Sequence, residues 1–269
     1  MKNDFPILPD DLVLILAEYS FKRNSVGRSS AGVYRCFRSP ADKTFYLKIS
    51  PANNDIRLEH GLLCWLSGKL PVPIIEYWGE QDGLAYLLTT EIQGCMACNC
   101  PEDTVVQPIE DTVRLLAHGL LMLQAVDITY CPFDNTLGNK LAWALSNIQN
   151  GLVDMGNWEE SNDFETPMAL YTWLLENKPA EEVCFTHGDY CLPNVFTNGT
   201  AVTGFIDMGR GGIADKWQDI SLCVRSLGYN LRNVAEAEKN QYINLLFSVL
   251  GIEPDWEKID YYILLDELF

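Results

Sequence analysis

The sequence lacks the long apolar segments that mark membrane proteins and secretion signals. No uncharged apolar run in its 269 residues approaches the roughly 20 residues that a membrane-spanning helix requires. The segment from Met1 to Pro6 contains no hydrophobic signal core. We therefore expect a cytoplasmic protein that does not associate with membranes.

The cysteines do not form the even, regularly spaced set of a disulfide framework. Nine are present, and only Cys95, Cys98 and Cys100 lie close together in sequence. An odd number without a secretion signal favours free thiols in a reducing compartment. The three clustered thiols could bind zinc. However, no second group of ligands lies near them in sequence, and a loop without metal is the favoured interpretation.

Basic residues are scarce. Lysine and arginine together number 19, against 37 aspartates and glutamates, which gives a formal net charge of −18. Such a charge repels nucleic acids and anionic membrane surfaces, and it attracts cationic partners over long distances. Solubility alone would also explain it, so the charge narrows the class of partner without identifying one.

The first third of the chain has the alternating apolar pattern of β-strands. Val33 to Phe37 and Phe45 to Ile49 form one alternating pair, and Ile74 to Trp78 and Ala85 to Thr90 form a second. A helical spacing over Asp55 to Leu66 lies between the two pairs. A further β-prone run precedes the polar turn from Asn24 to Gly32, so this order predicts a five-stranded antiparallel sheet with one inserted helix.

Beyond the segment from Glu91 to Gly94, the apolar pattern becomes helical. Apolar residues recur at helical spacing in six segments, namely 110–126, 141–148, 168–175, 215–227, 235–250 and 255–268. The predicted fold class is therefore α+β. A β-rich N-terminal domain covers residues 1–93, and a mainly helical C-terminal domain covers residues 94–269.

Chemically versatile side chains are concentrated in one stretch of the predicted helical domain. Thr186 to Asn194 reads THGDYCLPN, and Gly204 to Arg210 reads GFIDMGR. A short apolar hairpin that turns at Asn198-Gly199 separates them. Two carboxylates and an amide are thus placed at loop ends next to strands: Asp189, Asn194 and Asp207.

Asp189, Asn194 and Asp207 together suit phosphoryl transfer. That reaction needs a positioned hydroxyl group and neutralisation of phosphate charge by magnesium, rather than covalent chemistry by the protein. Magnesium takes a few hard oxygen ligands from the protein and the rest from phosphate and water. Asp189 would accept or orient the hydroxyl proton, and Asn194 and Asp207 would bind the metal. A lone His-Gly-Asp string would be weak evidence, so the interpretation depends on the three residues occurring together.

Lys48 is the N-terminal counterpart of these residues. It occupies the middle of a predicted strand, where an apolar residue is usual, and Glu59 on the next helix could aim it at the phosphates of ATP. A solvated strand face is the alternative explanation. The polar turn from Gly27 to Gly32 would offer backbone donors to the phosphates, since the chain contains no Walker-A string.

These motifs resemble those of the protein-kinase-like fold. Gly188, which stands where protein kinases have arginine, is typical of the branch that phosphorylates small molecules. The full pattern is His187-x-Asp189-x4-Asn194, Asp207-x-Gly209 and the Lys48–Glu59 pair. Longer strings across nearly the whole chain are similar to the aminoglycoside 3′-phosphotransferases, especially the type III enzyme: residues 68–73, 125–128, 186–194, 204–210, 214–220, 224–227 and 255–269.

The resemblance implies a two-lobed kinase fold. It also implies ATP- and Mg²⁺-dependent phosphorylation of the 3′-hydroxyl of antibiotics such as kanamycin and neomycin, which confers resistance. Asp189 would be the catalytic acid–base residue, and Arg210 would be a second catalytic residue that steadies the site electrostatically. Asn194 and Asp207 would be the Mg²⁺ ligands. Asp219 matches a buried aspartate that braces the catalytic loop.

The resemblance further implies an ATP site in the N-terminal domain. The adenine would lie at the domain linker, stacked on Tyr46 and held by backbone groups of Thr90 and Ile92. Ser29 would present its backbone to the phosphates. Lys48, supported by Glu59, would contact the α- and β-phosphates. The choice between ATP and GTP stays open.

Acidic groups would form the wall of the aminoglycoside site. A polycationic substrate needs several carboxylates that converge on its ammonium groups, and the net charge of the protein would steer it in. The resemblance assigns this role to the terminal carboxylate of Phe269 and to five acidic side chains: Asp154, Glu159, Glu160, Asp266 and Glu267. Gly156 and the segment 228–230 lack acids that the type III relative carries, which leaves the drug spectrum open.

Two other functions are compatible with parts of the sequence. A related kinase could act on a macrolide, choline or an amino sugar, although the acid-rich segment 154–160 favours a polycation over a neutral macrolide. A nucleotide-binding scaffold without activity would be expected to have lost Lys48, Asp189 or Asp207, and all three are present. We expect a monomer or a weak dimer.

Overall fold

The computed structural model describes residues 7–24, 31–39, 42–98, 108–156, 158 and 163–269. The chain divides into two compact units, Met1–Ile92 and Gln93–Phe269. Within the described residues, no helix combines the length and the apolar character that a membrane span requires.

An antiparallel sheet forms most of the first unit. Its strands are β1 (Ser20–Arg23), β2 (Gly32–Phe37), β3 (Phe45–Pro51), β4 (Ile75–Gln81) and β5 (Leu84–Thr90), and its helices are α1 (Asp10–Ile15) and α2 (Asn54–Leu66). The spatial order of the strands is β1-β2-β3-β5-β4, and every neighbouring pair is antiparallel. The five-stranded sheet predicted from the apolar alternation is confirmed.

Strand β3 alternates buried apolar residues with half-buried polar ones. Phe45, Leu47 and Ile49 are buried, whereas Tyr46 and Lys48 are half-buried. Successive side chains of a strand point to opposite faces, so Tyr46 and Lys48 share the opposite face of the sheet. The core side of β3 packs with other buried residues, among them Leu12, Leu16, Cys36, Tyr86 and Leu88.

The second unit is mainly helical. Its helices are α3 (Ile109–Gln124), α4 (Leu137–Gln149), α5 (Pro167–Glu176), α6 (Lys216–Asn230), α7 (Glu236–Leu250) and α8 (Trp256–Asp266). Helix α3 packs against α7, and α6 packs against α8. Their apolar faces are buried, as in α3 with Val113, Leu116 and Leu120 at the helical spacing seen in the sequence.

Two small β-structures lie within this helical unit. Strands β6 (Cys95–Met96), β8 (Val195–Thr197) and β9 (Val202–Phe205) form one sheet, in which β8 and β9 are the predicted hairpin. Strands β7 (Val183–Thr186) and β10 (Gly212–Asp215) form an antiparallel pair that the apolar pattern did not predict. Thr186 lies opposite Gly212, so the residues after β7 and those before β10 meet at one end of the pair.

Candidate active site

The loop His187–Asn194, termed the HGD loop, connects β7 to β8. Its sharp turn occurs at Gly188, where φ is +79°. A side chain there would be strained by the left-handed backbone, and its Cβ would collide with the backbone of Arg210. Glycine at this position is therefore a steric requirement of the loop, which explains why the string reads His-Gly-Asp.

Asp219 holds the start of the HGD loop from beneath. Its side chain is 2% exposed, and its two carboxylate oxygens accept hydrogen bonds from the backbone N–H groups of His187 at 2.6 Å and Gly188 at 2.9 Å. Burial raises the pKa of Asp219, while His187 and the two backbone donors act against that rise. The expectation that Asp219 braces this loop is confirmed.

His187 joins the HGD loop to the segment that carries Asp207. Its Nε2 lies 2.9 Å from the carbonyl oxygen of Ile206, and its Nδ1 lies 3.3 Å from the backbone nitrogen of Asp189. A carbonyl can only accept and a backbone N–H can only donate, so these partners assign the ring proton to Nε2. The histidine is completely buried and acts as a structural connection.

Asn194 orients the carboxylate of Asp189. Its Nδ2 donates to Asp189 Oδ2 and to the Asp189 carbonyl, both at 3.0 Å. Its backbone carbonyl accepts from the N–H of Ile206, also at 3.0 Å. Ile206 is thus held from both ends of the HGD loop, and this fixes the position of the next residue, Asp207. Asp189 itself is half-buried, so its carboxylate remains reachable.

Asp207 and Asn194 offer oxygen atoms that suit a magnesium ion. Asp207 is exposed and adopts a left-handed conformation with φ 55° and ψ 47° at the start of a short turn. Asn194 uses Nδ2 toward Asp189, which leaves Oδ1 on the other side of its planar amide. A carboxylate and an amide oxygen are hard ligands that Mg²⁺ prefers. In the described part of the chain, no three His, Cys, Asp or Glu side chains form a metal cluster. Mg²⁺ takes only a few ligands from a protein, and the remaining ones would come from phosphate and water.

Arg210 is held by the C-terminal segment Asp266–Phe269. Its Nη1 lies 3.7 Å from Asp266 Oδ1, and its guanidinium carbon lies 5.9 Å from the centre of the Phe269 ring. The other oxygen of Asp266 bonds to Arg225. Because Asp266 contacts two arginines, less of its negative charge is available to attract a substrate cation.

Lys140 lies beneath the same segment. The residue is 3% exposed, and its ammonium group lies 4.8 Å from the centre of the Phe269 ring, a cation–π distance. Burial lowers the pKa of Lys140 to about 8. A buried cation that contacts the ring fixes the position of Phe269.

Lys48 and Glu59 meet within the first unit. The Lys48 ammonium lies 2.6 Å from Glu59 Oε2, and both side chains are mostly buried. The pair connects β3 to α2, as the sequence predicts. The contact argues against the alternative in which Lys48 lies on a fully solvated strand face.

Tyr46 belongs to a polar network with Arg35 and Glu91. Arg35 lies directly opposite Tyr46 across the β2–β3 pair. Glu91 Oε1 accepts from Arg35 Nε at 3.1 Å and lies 3.5 Å from the Tyr46 hydroxyl. Thr90 donates its backbone N–H to Ile74 at 2.9 Å, so its carbonyl is the backbone group that a nucleobase could use.

The geometry above agrees with comparisons to known proteins. Residues 21–262 match the family model of the APH phosphotransferase enzyme family. The chain belongs to this family. A relative from Enterococcus faecalis, an aminoglycoside 3′-phosphotransferase, is 39% identical over 96% of this chain and 97% of its own. One of the same name from Staphylococcus aureus is 38% identical over the same shares of the two chains.

Solved structures of other phosphotransferases have the same fold. An aminoglycoside-3′-phosphotransferase of type VIII superimposes with a TM-score of 0.81 at 27% identity, covering 97% of this chain and 98% of that one. An aminoglycoside phosphotransferase from Streptomyces rimosus gives a TM-score of 0.82 at 24% identity, covering 96% and 95%, and this likeness concerns the fold alone. The predicted kinase-like α+β fold and the resemblance to aminoglycoside 3′-phosphotransferases are confirmed. The finer likeness to type III stays a prediction.

The contacts in the structure do not test the roles predicted for five residues of this phosphotransferase. Ser29, Glu159 and Glu160 lie outside the described residues. Asp154 is exposed, and its Oδ1 accepts from the backbone N–H of Gly156 at 2.9 Å, which forms a local turn. Glu267 is half-buried at the end of α8. The role of Ser29 in binding ATP and the roles of the four acidic residues in binding the aminoglycoside stay predictions.

Sequence reasoning missed two residues that position the phosphotransferase site. Asn135 donates through Nδ2 to the carbonyls of Arg210 at 2.9 Å and Gly211 at 2.8 Å, and no motif marked it. Lys140 had a usable signal, because it occupies an apolar position in α4 together with Leu137, Leu141 and Ala144. A lysine on the buried face of a helix needs a specific environment.

Proposed function

We propose that this phosphotransferase transfers the γ-phosphate of ATP to the 3′-hydroxyl of an aminoglycoside antibiotic such as kanamycin, and so confers resistance. The observation that carries the proposal is the orientation of the Asp189 carboxylate by Asn194, next to Asp207 on a segment bonded to both ends of the HGD loop. The names of relatives at 36–39% identity support the substrate class.

Asp189 acts on the attacking hydroxyl in this proposal. One of its carboxylate oxygens is held by Asn194, and its backbone N–H is bonded to the His187 ring, so the carboxylate has little freedom. A fixed carboxylate within hydrogen-bond reach orients the hydroxyl toward the phosphorus and accepts its proton as the new bond forms. Transfer is direct, without a phosphorylated enzyme.

Magnesium would be held by Oδ1 of Asn194 and by the Asp207 carboxylate. When bound, the ion neutralises charge on the phosphate oxygens. The protein contributes by keeping both ligands in place, because Ile206 ties the Asp207 segment to the carbonyl of Asn194 and to the ring of His187.

ATP would be bound by the first unit. Lys48, oriented by Glu59, would contact the α- and β-phosphates, and the Tyr46 ring would stack on adenine. The Thr90 carbonyl and the Ile92 N–H would bond the edge of the base, since one accepts and the other donates. A structural neighbour from Streptomyces rimosus, 24% identical to this chain, was solved in complex with ADP and streptomycin, so the shared fold can hold a nucleotide and an aminoglycoside in that protein.

The substrate would be bound by acidic groups of the second unit. Glu267 and Asp154 would contact ammonium groups directly, joined by Glu159, Glu160 and Phe269. Asp266 would contribute indirectly, because its carboxylate already contacts Arg210 and Arg225. The enzyme would act in the cytoplasm, where ATP is available, as a monomer or weak dimer.

A matched pair of drugs tests the proposal. Kanamycin B carries the 3′-hydroxyl and its 3′-deoxy analogue tobramycin does not, while erythromycin represents a neutral macrolide. In a coupled assay of ADP release, we expect turnover with kanamycin B and ribostamycin, and none with tobramycin or erythromycin. Turnover of tobramycin would exclude strict 3′ chemistry, and turnover of erythromycin alone would reassign the substrate.

The variant Asp189→Ala tests the assigned chemistry. Loss of a general base costs on the order of 10²–10⁴-fold in rate. We expect kcat to fall by about that factor while the Kd for ATP changes less than threefold. A variant that loses ATP binding but keeps kcat would contradict the assignment of Asp189.

A further inference from the structure

Glu91 lies between the two residues assigned to the nucleobase, yet no motif gives it a role. It directly follows Thr90 and directly precedes Ile92. Its backbone N–H donates to the Thr44 carbonyl at 3.1 Å, which attaches this residue to the chain just before β3. The backbone of the nucleobase segment is therefore tied to the strand that carries Tyr46.

The side chain of Glu91 makes a second connection to the same place. A single oxygen, Oε1, lies 3.1 Å from Arg35 Nε on β2 and 3.5 Å from the Tyr46 hydroxyl on β3. Arg35 and Tyr46 are themselves cross-strand neighbours. One carboxylate therefore fixes the tip of the Tyr46 ring relative to the backbone on either side of Glu91.

In this network the positive charge of Arg35 compensates the negative charge of Glu91, and Tyr46 is protonated. The hydrogen bond to Glu91 raises the pKa of Arg35, so the guanidinium stays positive and compensates the carboxylate. Burial, reinforced by the charge of Glu91, raises the pKa of Tyr46, so the phenol keeps its proton and can donate it. The Glu91 side chain is 25% exposed, and therefore the ion pair is partly shielded from water.

We propose that Glu91 is a positioning residue for the nucleobase: through Tyr46 and Arg35 it sets the position of the Tyr46 ring relative to the backbone of Thr90 and Ile92. It does not itself contact the nucleotide. The inference rests on the proposed function, in which Tyr46 stacks on the base. A planar base that stacks on a ring and bonds through its edge to the backbone needs the two at a fixed spacing, and a preorganised site binds more tightly because less side-chain freedom is lost on binding.

The variant Glu91→Ala tests this role. Without the Glu91 carboxylate the Tyr46 ring is no longer held in place, so we expect the KM for ATP to rise about tenfold, which corresponds to about 1.4 kcal/mol of binding free energy. We expect kcat at saturating ATP and the KM for kanamycin to stay within twofold. Glu76→Ala, which removes the exposed ion pair with Lys43 in the same unit, is the matched control and should leave all three constants unchanged.

A double-variant cycle separates positioning from a general structural effect. Tyr46→Phe removes the hydroxyl but keeps the ring, so it should raise the KM for ATP less than Glu91→Ala does. The combined variant should be no worse than Glu91→Ala alone, because both changes break one connection. Additive effects, or a fall in kcat with an unchanged KM for ATP, would overturn the proposal.

Direct nucleotide binding keeps the test independent of the drug. The Kd of a fluorescent ATP analogue, mant-ATP, should rise about tenfold in Glu91→Ala and by a smaller factor in the isosteric variant Glu91→Gln, whose amide oxygen can still accept a hydrogen bond. Wild-type protein that binds mant-ATP without phosphorylating kanamycin would refute the proposed function and leave this inference standing. An unchanged Kd in both Glu91 variants would refute the inference alone.

Discussion

The HGD loop and the C-terminal segment Asp266–Phe269 hold their acidic groups in different ways. In the HGD loop, the short amide of Asn194 fixes Asp189, and the backbone N–H groups of His187 and Gly188 bond to the buried Asp219 of α6. In the C-terminal segment, Asp266 is held by the long side chains of Arg210 and Arg225, and the Phe269 ring lies over Lys140. A backbone segment fixed within a fold and a short side chain have few conformations, whereas arginine and lysine side chains have many.

This difference matches the tasks assigned to the two regions. Phosphoryl transfer requires reacting groups to be positioned within a fraction of an ångström, and the HGD loop provides this with donors that cannot move independently. Binding of polycations that differ in their sugar rings tolerates adjustment, and long side chains allow it. Three sets of variants should test this contrast, beginning with the HGD loop.

The largest effect is expected for Asp219→Ala. The change leaves the buried N–H groups of His187 and Gly188 without acceptors, at about 1–3 kcal/mol each. We expect the free energy of unfolding in urea to fall by about 4 kcal/mol, with a loss of kcat in the protein that remains folded. Asp219→Asn keeps one acceptor oxygen and should cost about half as much. Equal losses in the two variants would show that the two hydrogen bonds are not the cause.

An intermediate effect is expected for Lys140→Met, and it depends on pH. Burial lowers the pKa of Lys140 from its ordinary value of 10.5 to about 8 in the folded protein. Below pH 8 both folded and unfolded chains bind the proton, so the full cost of a buried charge is present. Between pH 8 and 10.5 the unfolded chain binds more protons, and stability therefore rises with pH. The pKa difference corresponds to roughly 3 kcal/mol.

The measurement compares free energies of unfolding across that pH range. Wild type should gain up to roughly 3 kcal/mol relative to Lys140→Met as the pH rises from 8 to 10.5, since the methionine cannot titrate. Lys178→Met, which removes an exposed lysine from the same unit, is the matched control. A wild-type curve parallel to that of Lys140→Met would mean that Lys140 is not buried as a charge.

The smallest effect is expected for single acids of the drug site. Glu267→Gln and Asp154→Asn should each raise the KM for kanamycin about twofold to fivefold with kcat unchanged, because a partly exposed ion pair contributes about 0.2–1 kcal/mol. Asp163→Asn removes the same charge from an exposed position with no assigned role and controls for long-range attraction. If all three variants behave alike, net charge rather than contact determines drug binding.

Sequence patterns predicted the features that depend on neighbours along the chain. Strand alternation identified β3 and the position of Lys48, and helical spacing identified α2 and Glu59. The order of Asp189, Asn194 and Asp207 predicted a site because short loops keep them close. These are local relations, in which the backbone period alone decides which face a residue occupies.

The sequence did not predict the features that depend on pairing between residues far apart in the chain. Strands β7 and β10 have four residues each and pair across the hairpin between them, so neither has a pattern long enough to recognise. Glu91 meets Arg35 across 56 positions, and Asn135 meets Arg210 across 75. Such contacts exist only once the sheet or the helical unit has folded, and the sequence around either partner does not indicate them.

The β7–β10 pair also has a consequence for how the enzyme can fail. The HGD loop begins where β7 ends, and the segment with Asp207 and Arg210 ends where β10 begins. Opening of this one ladder would release both motifs together, because they share its last rung at Thr186 and Gly212. Heat or denaturant would thus abolish the proposed hydroxyl activation and the proposed magnesium binding in a single step, so that partly opened molecules are inactive rather than slow.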